Sequence, residues 1–124
     1  MIIKKSETFE VRLYIGSMFG YHGDNFTKEE LKKEVGFIQK QFKEKYTFES
    51  GVIPVRMTQT EFISEDYSEK GWELAAINYP RFEKAEYTIT VFMYELARHL
   101  LVRFNQHRIS LITPEETVLF EEEK

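Results

Sequence analysis

From Thr8 to Ser17, apolar and polar positions alternate without a break. Phe9, Val11, Leu13 and Ile15 share one parity; Thr8, Glu10, Arg12 and Tyr14 share the other. This period of two predicts a half-buried strand. The pattern then dissolves into SMFGYHGDN, a glycine-containing loop that carries Met18, Phe19, Tyr21 and His22. At Thr27 the period changes. Thr27 and Glu30 have the spacing of a capping box, and Leu31, Val35, Ile38 and Phe42 follow at helical intervals, with lysines between them. A helix is expected from here until just before Ser50-Gly51.

The β-branched run from Val52 to Ile63 predicts a second strand, with Pro54 near its start or on an edge. Its alternation Ile53, Val55, Met57 is out of phase with Phe62, which suggests a bulge. Ser64 to Gly71 is polar and is expected to be a hairpin loop. From Trp72 to Tyr79 apolar residues fall on both parities, as in a central strand covered on both faces. Pro80 ends it. A second helix is expected from Glu86 to Asn105, its core stripe formed by Ile89, Phe92, Met93, Leu96, Leu100 and Phe104. Arg108–Ile112 and Thr117–Phe120 predict a closing hairpin.

The resulting order is strand, helix, strand, strand, helix, strand, plus one final strand. It predicts a single α+β domain over residues 1–124: a ferredoxin-like βαββαβ sandwich with an extra C-terminal strand. Two helices on one face of an antiparallel sheet leave the other face open, so a homo-oligomer, dimeric or higher, is expected.

Length supports one self-sustaining core, since 124 residues suffice to bury roughly two thirds of the unfolded surface. The absence of cysteine excludes disulfide scaffolds and thiolate chemistry. No stretch is apolar enough for a signal peptide or a membrane span, so a cytoplasmic protein without a membrane partner is expected. A net charge of -4 argues against extended nucleic acid as a partner. Eleven Phe and seven Tyr exceed what a small core requires and leave rings for a ligand or a second subunit.

Candidate chemistry gathers at the two breaks that flank the second helix. At the first, Asn78, Tyr79, Arg81 and Phe82 combine a planar cation with flat rings, suited to a phosphorylated, ring-containing ligand. The same residues would also serve as staples at a strand–helix junction. At the second, Arg103, Asn105, Gln106 and Arg108 offer ligand contacts, although His107 and Arg108 would also neutralise a helix C-terminus. Chain direction puts the two breaks at opposite ends of one subunit, so a site joining them must cross between chains.

Enzyme signatures are sparse. Glu95 and His99 stand four residues apart without a visible third ligand, so no metal is expected. No GxGxxG, Walker or HExxH pattern occurs, and no cofactor is expected.

Three segments, YIG at Tyr14–Gly16, INYPRF at Ile77–Phe82 and NQHRISLITPEET at Asn105–Thr117, resemble the phage anti-Thoeris sponge family. That resemblance implies an anti-defence oligomer that sequesters cyclic ADP-ribose-type signals without cleaving them. The leading expectation is accordingly non-enzymatic binding and sequestration of a nucleotide-like small molecule. The alternatives are a small ferredoxin-like enzyme using His22, His99 or His107 as acid–base group, and a protein–protein adaptor.

Overall fold

The computed structural model describes residues 1–20, 23–46 and 51–123. Its elements are β1 (Glu10–Gly16), α1 (Lys28–Lys45), β2 (Arg56–Ser64), β3 (Tyr67–Ile77), a single 3-10 turn at Pro80–Phe82, α2 (Glu86–Arg103), β4 (Arg108–Ile112) and β5 (Thr117–Glu121). The strands form one antiparallel sheet in the order β2-β3-β1-β4-β5. This is the ferredoxin-like arrangement, with β5 added beside β4.

The periodicity of β1 decides which face is buried. Val11, Leu13 and Ile15 stand opposite Ala76, Leu74 and Trp72 of β3, and all six are buried. Both helices close over this face. Leu31, Val35, Ile38 and Phe42 of α1 join Ile89, Phe92, Met93, Leu96 and Leu100 of α2 in one core. Fully burying an aliphatic or aromatic side chain contributes about 1.5–3 kcal/mol, so these inward faces outweigh the weak intrinsic preference of either helix.

Both helix ends follow from local chemistry. Thr27 caps α1: its hydroxyl accepts from the Glu30 amide at 3.0 Å, while the Glu30 carboxylate accepts from the Thr27 amide at 3.0 Å. The expected end of this helix near Ser50 falls partly outside the described residues; the helix stops at Lys45. The second helix stops at Arg103, two residues before the expected end at Asn105. Asn105 takes a left-handed φ of 49°, and the Gln106 and Asn105 amides donate back to the carbonyls of Leu101 and Val102. That is a Schellman stop with asparagine in the place glycine usually takes.

Two expectations for the middle of the chain are overturned. Ser64 to Gly71 is not a loop, because β3 already begins at Tyr67 and only Glu65 and Asp66 turn. These polar residues form the exposed end of a hairpin, which buries neither face and so shows no apolar alternation. Nor is there a bulge in β2, where pairing runs unbroken from Arg56↔Ala75 to Ser64↔Tyr67. Phe62 falls out of phase because it belongs to the opposite face of the sheet from Met57.

That opposite face is polar but not bare. Arg56 reaches Glu10 at 3.8 Å and Glu73 at 3.7 Å, and Arg12 pairs with Glu10 at 3.3 Å. Ala75, on this same face, is only 1% exposed. Central β3 is thus covered on both sides, as its two-parity pattern implies, with salt-bridged side chains forming the second cover. No helix among the described residues is long and apolar enough to cross a membrane.

Candidate active site

The β1–β3 ladder ends at Gly16↔Gly71, so the hairpin from Glu61 to Lys70 projects past β1 as a two-stranded arm. Phe62 and Glu69 are cross-strand partners on that arm and share the open face with Tyr14. Together with the loop after β1 and the start of β4, they enclose a cavity of about 300 Å³. This is the lower end of the range for small-ligand sites.

Each wall has a structural cause. Phe62 meets the Tyr14 ring edge-on at 5.7 Å, which fixes two flat faces at the mouth. Gly71 keeps that corner tight: a Cβ there would lie 2.6 Å from the Ile15 carbonyl oxygen and 3.0 Å from the Phe62 ring. Gln106, only 7% exposed, donates its amide hydrogens to the carbonyls of Met18 at 2.6 Å and Phe104 at 3.1 Å. With its NH2 so held, its carbonyl oxygen has one orientation. A Cβ built on Gly16 would lie 3.2 Å from a Glu69 carboxylate oxygen and 3.3 Å from the Gln106 carbonyl oxygen. Two acceptors therefore converge over a residue without a side chain. A donor-rich group, such as a ribose diol or an ammonium, fits such a place.

The basic side chains at the rim are already engaged by carboxylates. Arg108 is bonded to Glu121 at 2.6 Å, and the His107 imidazole is paired with Glu122. Glu69 is the one carboxylate among the cavity's lining residues. Outside the cavity, the hydrogen bond from the Lys45 ammonium to Glu95 holds that lysine above its ordinary pKa.

Of the eight residues singled out in the sequence, the structure brings only Gln106 and Arg108 into this cavity. Asn78 is buried and committed: its side-chain oxygen accepts from the Lys84 amide at 3.0 Å, and its carbonyl accepts from Ser6 at 3.0 Å. Tyr79 and Phe82 contact each other edge-on at 6.2 Å, and the Arg81 guanidinium lies 5.3 Å from the Phe82 ring centre. That group sits by Ile77, which pairs with Glu10, at the far end of β1 from Gly16. The two breaks are thus at opposite ends of the subunit. Arg103 turns toward α1 and reaches Glu34 at 3.4 Å, while Asn105 serves as the helix stop.

His99 also bonds Glu34, at 2.8 Å between the helices, and His22 lies outside the described residues. Tyr14, Phe62 and Glu69 are the residues that sequence reading misses. The signals were present: a tyrosine on the non-core parity of β1, and an aromatic residue out of phase in β2. Neither points to the other until the hairpin register is known. Among the described residues no group of three or more His, Cys, Asp or Glu side chains could hold a metal ion.

No family model matches the chain, and no curated protein does. Solved structures do. A phage SAM lyase in complex with S-methyl-5'-thioadenosine superposes with a TM-score of 0.67 at 13% identity, over 98% of this chain and 95% of that one. A phage SAM lyase in its apo state gives 0.69 at 14% identity, over 100% and 98%. The shared fold covers essentially the whole of each chain. This finding overturns the expectation of a non-enzymatic sequestering protein, because the neighbours that share the architecture are lyases. The small-enzyme alternative accounts for it better. The resemblance to the sponge family finds no support in these comparisons, although the neighbours are phage proteins.

Proposed function

We propose that this chain is a small lyase acting on a sulfonium nucleoside of the S-adenosylmethionine kind, with its active site in the cavity between Tyr14, Phe62, Glu69 and Gln106. The observation that carries the reading is the full-length fold match to phage SAM lyases, one of them holding a methylthio-nucleoside. The paired acceptors over Gly16 supply the chemistry that such a ligand needs.

Charge flow assigns the roles. The substrate's own α-carboxylate attacks the aminobutyrate carbon bound to sulfur, forming the C–O bond of a lactone as the C–S bond breaks. Both electrons of that bond go to sulfur, so the sulfonium becomes a neutral thioether. A carboxylate set against the sulfur would stabilise the starting cation more than the transition state and slow the step. Rings are better neighbours, since they replace the water that solvates the cation. Tyr14 and Phe62 therefore face the sulfur in this reading. Glu69 and the Gln106 carbonyl accept hydrogen bonds from the ribose hydroxyls or the α-ammonium. Arg108, from its place at the rim, meets the substrate carboxylate in exchange with Glu121.

The homo-oligomer expected from the sequence remains part of the proposal. Ile63 and Tyr67 on the arm and Leu119 on β5 are exposed at 74%, 62% and 56%. A second copy is the cover proposed for them, and sedimentation equilibrium measures it directly.

The test is incubation with S-adenosylmethionine and chromatography for S-methyl-5'-thioadenosine. Product is expected in proportion to protein. Glu69→Gln should lower kcat/KM by about tenfold or more, the loss of one hydrogen bond to a charged acceptor. Arg81→Gln, at the other end of the sheet, should leave it unchanged. No product, together with no heat of binding for substrate or product, would sink the proposal and favour the adaptor.

A further inference from the structure

A second and larger cavity, of about 490 Å³, opens at the same end of the sheet but on its helix-bearing side, between the hairpin arm and the start of α1. It is lined by Ser17 and Asn25 of the loop, Lys28 of the helix, and Gln59, Glu61 and Lys70 of the arm. Buried Trp72 and Phe26 form its floor. It shares no charged residue with the Glu69 cavity, because Glu69 and Lys70 point to opposite faces of β3.

Its lining is rich in donors. Two ammonium groups, the side-chain amides of Asn25 and Gln59 and one carboxylate, that of Glu61, line it, while the Ser17 hydroxyl already donates to the Asn25 side-chain oxygen at 3.2 Å. Among the described residues neither Lys28 nor Lys70 forms an ion pair, although Arg12, Arg56, Arg103 and Arg108 all do. The chain as a whole carries a net charge of -4. Two cations lining one space with a single carboxylate, that of Lys70's cross-strand neighbour Glu61, leave a net positive charge that favours an anionic occupant. Glu61 adds a place for a hydroxyl donor beside the anion.

We infer that this cavity binds a hydroxyl-bearing phosphate monoester of the sugar-phosphate class, its phosphate between Lys28 and Lys70 and a hydroxyl on Glu61. The loop that walls it also walls the Glu69 cavity. Ser17 and Asn25 line one, Met18 and Gly20 line the other, and a Met18↔Asn25 bridge ties the two sides together. The Ser17 amide donates to the Lys70 carbonyl at 3.3 Å, and the Phe26 amide to the Ser17 carbonyl at 2.9 Å. An occupant that contacts Ser17 and Asn25 therefore also bears on Met18 through this bridge and acts as an effector of the first cavity.

The test is a nuclear magnetic resonance titration of the full chain at constant ionic strength with inorganic phosphate, ribose 5-phosphate and ribose. Saturable shifts at the Lys28, Thr60 and Lys70 amides are expected, tighter for ribose 5-phosphate than for phosphate and absent for ribose. Lys28→Gln and Lys70→Gln should each weaken ribose 5-phosphate by about tenfold, the loss of one charge-assisted hydrogen bond. Lys40→Gln, on the exposed side of α1, should not. Met18 and Gly20 amides should shift with the same midpoint. Shifts linear in concentration, or unchanged by both lysine substitutions, overturn the site. Equal affinity for the two phosphates overturns the role of Glu61, and unmoved Met18 and Gly20 overturn the coupling.

Discussion

Gly16→Ala places a methyl group between the two acceptor oxygens of the proposed active site. Gly16 does not occupy the left-handed region, so alanine meets no backbone strain there. Replacing a strand glycine in this way gains about 0.5–1 kcal/mol through backbone entropy. Against that gain stand the contacts at 3.2 Å with Glu69 and 3.3 Å with Gln106. The Glu69 carboxylate is the far end of a flexible side chain and can yield by a few tenths of an ångström. Gln106 has less freedom, because its NH2 group is held by two carbonyls. The two effects nearly cancel, so stability should stay within about 1 kcal/mol of the parent, about 4 °C in Tm for a domain of this size.

Binding should respond very differently. The methyl group occupies the approach to both oxygens, and a donor group of the ligand loses one neutral and one charged hydrogen bond. That is roughly 2–4 kcal/mol, or about 30- to 1,000-fold in kcat/KM. Circular dichroism of thermal unfolding and chromatographic detection of the thionucleoside product measure the two effects separately. A variant with Tm within 4 °C of the parent and kcat/KM within about threefold would refute the placement of the ligand over Gly16.

Gly71→Ala tests the corner behind Phe62. Its Cβ would lie 2.6 Å from a backbone carbonyl that cannot swing aside, so about 1–3 kcal/mol of destabilisation is expected in urea unfolding. Thr27→Ala removes the acceptor for the Glu30 amide and should cost about 1 kcal/mol in the same measurement. Glu34→Ala leaves His99 and Arg103 without their shared carboxylate. Because both can turn toward water, about 1–2 kcal/mol is expected rather than the larger cost of a fully buried charge. An unchanged urea midpoint would show that this cluster contributes nothing net.

The elements with a buried face could be read from the residues alone. The run from Phe9 to Ile15, the Leu31–Phe42 spacing and the Ile89–Phe104 stripe each carry the period of their structure, because one side must be apolar to pack. The Thr27 capping box is equally local, since all its partners lie within four residues. From these, the order of strands and helices and the ferredoxin-like class follow. The proposed active-site cavity has no such local signature. It is formed where Tyr14 of the first strand, Phe62 and Glu69 of the hairpin, and Gln106 after the second helix meet. Their sequence separations are bridged only by strand register and by the loop that Gln106 holds. A polar stretch such as Ser64–Gly71 reads as a loop in sequence because an exposed strand has no buried face to pattern. Only when β3 pairs with β2 does Glu69 come to stand beside Phe62, and only with Gly16 at the end of the ladder does that pair acquire a space to serve.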